Sequence, residues 1–267
     1  MLLVERVVIF FHTNNPNRHF QKTHDAFSKA LELFLVENRP TKIMEDRPIK
    51  LYYYKATGKA NQIRLTLAAA DIDFTDEYPA AFPPTPEEKL AWRKLGGNAT
   101  TNVPMLQIGD KYYSQSSAVL KVAARLGGLV PDENNHEAVY FTDKLIADAE
   151  DFRIEAYKSF VTWGATKEAA DNFINEVAPL HFGNMERQLK EAGSDFFLGD
   201  KLTVADITIY DAVVNFGKNR IPGDSLSEFG ALKGWIKRVE ASPGIAKYLK
   251  SEQYSGLMKF DNSTLGY

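Results

Sequence analysis

The spacing of apolar residues changes repeatedly along the chain, and each change predicts an element. The first 47 residues hold a short apolar run, Val7, Val8, Ile9, Phe10 and Phe11. A stripe of Phe27, Ala30, Leu31, Phe34 and Leu35 follows, at the i, i+3, i+4, i+7, i+8 spacing of an amphipathic helix. Such a stripe needs a cover, and the expectation is that this extension packs on the body of the protein; an interface or a targeting remnant are the alternatives. After Arg47-Pro48 the pattern turns to strand at residues 49–54, which alternation splits into Ile49, Leu51 and Tyr53 on one face and Tyr52 and Tyr54 on the other. Gly58 permits a tight turn into a helix carrying Ile63, Leu65, Leu67 and Ala68 to Ala70. A short strand is expected around residues 72–78. The stretch 79–97 is irregular, except that Thr85-Pro86-Glu87-Glu88 has a cap, a proline at the first helical position and a glutamate at the third.

The most informative stretch is residues 102–117. Met105, Leu106 and Ile108 form a strand, Gly109-Asp110 a two-residue hairpin turn and residues 111–114 the return strand; Ser116 or Ser117 then caps a helix running to Leu126. A helix that starts directly after a strand offers free backbone N–H groups to a carboxylate or a phosphate. A hairpin merely followed by a capped helix has the same pattern. Pro104 opens the first strand, and a cis bond there would turn the Val103 backbone outward to pair with an extended ligand. From Gly127-Gly128 onward the pattern is helical only, with Ala138, Phe141, Leu145, Ile146, Ala149 and Phe152 on one helix face. Thr203-x-x-Asp206 begins an apolar helix as a capping box in which Asp206 should be buried and structural. Trp235, Ile236 and Val239 continue the core, and Ser242-Pro243 starts a last helix. Three units result: an extension at 1–47, an α/β domain at 48–127 and a helical domain at 138–260.

Composition narrows the chemistry. A 267-residue chain that is 44% hydrophobic and carries a net charge of −3 has an ordinary core and no basic stripe for nucleic acid. No apolar run reaches membrane length. With no cysteine there is no disulfide, thiolate ligand or enzymic thiol, and the five scattered histidines lack metal-ligand spacing.

The arrangement of Val103-Pro104, hairpin and Gln115-Ser116 resembles the glutathione-binding half of cytosolic glutathione transferases. In that family the residue before the proline pairs with the cysteinyl backbone of glutathione, and the Gln-Ser pair holds its γ-glutamyl carboxylate. Residues 52–64, Tyr-Tyr-Tyr-Lys-Ala-Thr-Gly-Lys-Ala-Asn-Gln-Ile-Arg, resemble the sigma-class start Tyr-Phe-Asn-x-Arg-Gly-Arg-Ala-Glu-x-x-Arg. Anchoring on Gly58, Ala60 and Arg64 makes Tyr53 the thiol-activating tyrosine and Lys59 the replacement for an arginine near the thiol; Asn61 departs from a glutamate. Trp92 and Lys94 correspond to the pair on the glycyl carboxylate, with a spacing to the proline one residue shorter, and Asn102 joins the set beside Val103. Glu150-Asp151-Phe152 matches an Asp-Asp-Phe whose second aspartate reaches a partner chain's glutathione, so Asp151 is the counterpart here.

The resemblance covers residues 49–250 and implies a thioredoxin-like α/β domain joined to an all-α domain. It also implies a cytoplasmic homodimer, glutathione as co-substrate and transfer of its sulfur to electrophilic apolar compounds. A cysteine thiol near pKa 8.5 is mostly protonated at neutral pH, and lowering that value by ~1.5 takes about 2 kcal/mol, within reach of one phenolic hydrogen bond to a charged acceptor. A non-catalytic, crystallin-like protein on the same fold and a glutathione-dependent isomerase or peroxidase are the alternatives. Arg153 and Lys158 stand where the prostaglandin-type isomerases keep bulky acceptor-site residues.

Overall fold

The computed structural model describes residues 47–100, 103–161 and 165–259; the predicted elements of the extension and Asn102 fall outside them. Strand β1 (Ile49–Tyr52) buries Ile49 and Leu51 on one face and leaves Lys50 and Tyr52 half-buried on the other. It ends two residues earlier than predicted. Tyr53 still donates its N–H to the Glu77 carbonyl at 3.1 Å, after which the chain leaves the ladder. A single 3-10 turn, Gly58–Ala60, feeds helix α1 (Asn61–Ala69). Strand β2 (Thr75–Glu77) is shorter than the apolar run suggested, because only these residues pair with β1. Helix α2 (Pro86–Leu95) has the full capping box, Thr85 accepting from Glu88 N–H and Glu88 accepting from Thr85 N–H.

Strands β3 (Met105–Ile108) and β4 (Lys111–Ser114) form the predicted hairpin, with Gly109 at φ 59°, a left-handed value suited to a glycine. The sheet order is β2-β1-β3-β4, with β2 parallel to β1 and the other pairs antiparallel. Helix α3 (Ser116–Leu126) follows β4 directly. The predicted cap is displaced by one residue: Gln115 occupies the cap position and Ser116 is the first helical residue.

The remaining elements are helical. They are α4 (His136–Phe160), α5 (Lys167–Asn172), α6 (Ala178–Ala192), α7 (Val204–Asp211), α8 (Gly230–Ala241), α9 (Pro243–Leu249) and α10 (Glu252–Ser255). The helix opened by Ser242-Pro243 is therefore followed by one more. Wide π-helical turns extend α5 through Phe173–Val177 and α7 through Ala212–Lys218. Gly217 in the second of these packs so closely that a Cβ there would lie 2.8 Å from Phe182 and 2.9 Å from Phe152. At the start of α7, the fully buried Asp206 accepts from the N–H groups of Phe197 (3.0 Å) and Thr203 (2.9 Å), the Thr203 hydroxyl (2.8 Å) and Trp235 Nε1 (3.1 Å). The carboxylate is structural, as the capping pattern predicted.

Several contacts fasten the sheet half to the helical half. Gly244 on α9 packs on the backbone of α1 so closely that a Cβ would sit 1.9 Å from the Ala68 carbonyl oxygen. Deeper in, Asn61 Nδ2 donates to Asp211 Oδ1 at 2.7 Å and the Thr208 hydroxyl donates to Gln62 Oε1 at 2.5 Å. Arg153, itself 1% exposed, reaches Asp211 Oδ2 at 3.2 Å and Glu150 at 2.8 Å.

Candidate active site

The strand register brings separate parts of the sequence to one end of the sheet. Tyr52 pairs with Met105, and Met105 pairs with Ser114. The next residues outward are therefore Tyr53, the Val103-Pro104 pair and Gln115-Ser116, on three neighbouring strands. The Val103–Pro104 bond is cis. Gln115 has φ 76° and ψ 114°, a left-handed backbone rare for a residue with a side chain, and α3 begins at the next residue.

Tyr53 is 7% exposed, and its hydroxyl accepts the backbone N–H of Lys59 at 3.0 Å. Gly58, at φ 40°, permits that approach: a Cβ on it would lie 2.4 Å from the Tyr53 hydroxyl oxygen. The Arg64 guanidinium stands 5.9 Å from the Tyr53 ring centroid, and Tyr157 of α4 brings its hydroxyl up to that of Tyr53. Burial, with the Tyr157 hydroxyl after it, pushes the Tyr53 phenol far above its ordinary range, the Lys59 N–H opposing. A phenol held neutral in this way is a hydrogen-bond donor to an anion. The N–H already on its oxygen draws electron density away and strengthens that donation.

Lys59 points its ammonium at Glu150 Oε1, 2.6 Å away. Burial alone would raise the Glu150 carboxyl, but Arg153 and Lys59 outweigh it and hold the group below its ordinary value. Of the acidic pair on α4, Glu150 faces inward, whereas Asp151 is exposed. Trp92 meets the ring of Tyr52 edge-on at 5.9 Å, and Lys94 is exposed in the last turn of α2. The tyrosines separate as alternation predicted: Tyr52 donates to Gln107 Oε1 at 2.8 Å on the outer face, and Tyr54 packs on Phe82 at 5.3 Å. Only Tyr53 faces the interior.

Sequence reasoning missed Glu150 and Tyr157 as members of this cluster. The i, i+3 spacing of Glu150 and Arg153 on one helix face was a usable signal; Tyr157 had none, since its place depends on how α4 crosses the sheet end. Among the described residues no group of acidic or histidine side chains could hold a metal, and no helix is long and apolar enough to cross a membrane.

Comparison with known proteins matches the same two halves. Residues 49–125 fit the family model of the glutathione S-transferase N-terminal domain, and residues 150–252 that of the C-terminal domain. Glutathione S-transferase P 2 of Bufo bufo is 30% identical over 207 residues, covering 76% of this chain and 92% of that protein. The class-mu 28 kDa glutathione S-transferase of Schistosoma japonicum is 27% identical over 223 residues, covering 78% and 98%. The solved Pi-class glutathione S-transferase of Onchocerca volvulus shares the fold at a TM-score of 0.65 and 22% identity, covering 78% of this chain and 95% of that one. With both domain models in sequence order and a relative of this identity matched nearly end to end, the chain belongs to the glutathione S-transferase family.

Proposed function

We propose that this protein transfers the sulfur of glutathione to electrophilic apolar compounds, with Tyr53 donating a hydrogen bond to the thiolate. The observation that carries the reading is the buried, neutral Tyr53 hydroxyl, held by Lys59 N–H at the end of the sheet where the cis Val103–Pro104 bond and the start of α3 meet. The glutathione backbone pairs with Val103 beside Asn102 and Pro104, and its γ-glutamyl carboxylate takes the α3 N–H groups at Gln115-Ser116. Trp92 and Lys94 serve the glycyl end. Lys59 adds positive charge near the sulfur, steered by Glu150.

The class is sigma-like, on the spacing of Tyr53, Gly58, Ala60 and Arg64. The assembly is a cytoplasmic homodimer in which the exposed Asp151 reaches the glutathione of the partner. Residues 1–47 are an N-terminal extension, 48–127 the glutathione-binding domain and 138–260 the helical domain. The isomerase reading gains nothing from Arg153, which is buried in ion pairs with Glu150 and Asp211.

Glutathione-affinity capture followed by conjugation assays with a panel of electrophiles tests the reading. Capture and turnover are expected. A protein that binds glutathione but turns over no electrophile or peroxide would instead be a binding protein on this fold.

A further inference from the structure

The loop between Tyr53 and α1 is held from the far end of the chain. Met258 N–H donates to the Lys55 carbonyl at 2.9 Å, and Thr57 N–H donates to the Met258 carbonyl at 3.0 Å, so that Ala56 and Met258 form a parallel bridge. A third anchor comes from Arg64, fully buried, whose Nη1 donates to the Ala56 carbonyl at 2.8 Å. Arg64 is itself fixed by Asp76 at 2.8 Å, and Asp76 accepts from Gln253 Nε2 of α10 at 2.8 Å. Leu257 is 4% exposed and seats the segment. The next residue after Thr57 is Gly58, whose φ of 40° aims the Lys59 N–H at the Tyr53 hydroxyl. Three consecutive loop residues thus have their backbone fixed, two of them by Met258, and one glycine separates them from the Lys59 N–H on the activating phenol.

We propose that the segment at residues 256–259 is a positioning element for the reaction: paired with the loop at 55–57, it holds the Lys59 N–H on the Tyr53 hydroxyl and so sets how strongly Tyr53 stabilises the thiolate. This rests on the reading of Tyr53 given above. Met258 touches no reacting atom and acts through two backbone hydrogen bonds. A loosened loop lets Lys59 N–H drift, and the phenol then donates from a less fixed position to the same sulfur. Glutathione binding through Val103 and the α3 start is untouched.

Met258→Pro tests this, because it deletes the N–H that reaches Lys55 and keeps the carbonyl that reaches Thr57; Met258→Leu keeps both. In Met258→Pro, kcat/KM at about pH 6.5 is expected to fall about 3- to 10-fold, as for one weakened hydrogen bond to a charged acceptor. The deficit should shrink as pH rises and the thiol ionises unaided, while KM for glutathione stays put and Met258→Leu matches the wild type. Removal of residues 256–267 is the second variant and should reproduce the same shifted pH profile. A folded Met258→Pro or truncated protein with the wild-type profile overturns the proposal, and so does failure of both to fold, which would make the segment a scaffold part. Tyr53→Phe is measured alongside: if it leaves the ultraviolet absorbance of the bound thiolate unchanged, the Tyr53 reading itself fails, whereas a response to Tyr53→Phe without one to Met258→Pro sinks only the role of the segment.

Discussion

One methyl group at position 58 probes the geometry around the phenol. Alanine there would bring a Cβ to 2.4 Å from the Tyr53 hydroxyl oxygen, at a φ of 40° that side chains resist. Gly58→Ala should therefore lower kcat/KM by about 10- to 100-fold, as Tyr53→Phe does, through loss of a charged-acceptor hydrogen bond. It should also lose about 1–2 kcal/mol of stability in urea unfolding from the strained backbone, whereas Tyr53→Phe retains glutathione affinity. Tyr52→Phe and Tyr54→Phe, on the outer face, should change turnover far less. The pH dependence follows from the direction of the Tyr53 shift. Its ordinary value is 10.0, and burial with Tyr157 raises it, so the phenol keeps its proton throughout the range where a thiol titrates. The rise of kcat/KM with pH then reports glutathione's sulfur alone, and in Tyr53→Phe that rise moves to higher pH. Stability drawn from the neutral phenol is present below pH 10.0 and is lost only as pH climbs above it. A rise that stays in place in Tyr53→Phe would rule out the hydroxyl as the thiolate's donor.

At the level of elements, α4 and α7 are coupled through charge placed in the core. Arg153→Met would strip Asp211, fully buried, of its ion partner and leave Glu150 with Lys59 alone, at a loss of about 3–5 kcal/mol in chemical denaturation at neutral pH. Burial pushes the Asp211 carboxyl up even with Arg153 present. Without the arginine it takes a proton more readily, so the deficit should narrow as pH falls; a deficit that widens would mean that Asp211 is not the group responsible. What the sequence foretold about elements follows from how local each determinant is. The capping boxes at Thr85 and Thr203 and the turn at Gly109-Asp110 are written in four consecutive residues and were legible. So was the burial of Tyr53, by alternation from Leu51. The ladder's early stop at Tyr52, by contrast, is set by where β2 ends, and β2 was read too long. The pairing of Asn61 with Asp211, 150 positions apart, and the seat of Met258 beside Lys55 have no local signature, because a single polar residue in an apolar run does not say which distant partner satisfies it. Gln115 took the cap position from the serines for a related reason: the end of β4 fixes where the chain must bend, and that geometry overrides cap preference.

For the whole molecule, the exposed Asp151 beside the inward Glu150 is the place where a second copy enters the reading. Asp151→Asn should leave stability unchanged while weakening glutathione binding about 5- to 10-fold through a lost charge-assisted contact, read by calorimetry with sedimentation velocity reporting a dimer. A monomer with full affinity would count against the cross-chain contact. The seam inside one chain is a different matter. Where Gly244 lies on Ala68 there is no room for any side chain, and the buried Asn61 amide of the sheet half donates to Asp211 of the helical half. The sheet half and the helical half are consequently not exchangeable modules. A chimaera joining residues 47–126 to the helical half of another family member should fold only where the donor also has glycine at the place of Gly244 and an acceptor at the place of Asp211, so that recombination between relatives at this seam is confined to donors that match it at both places.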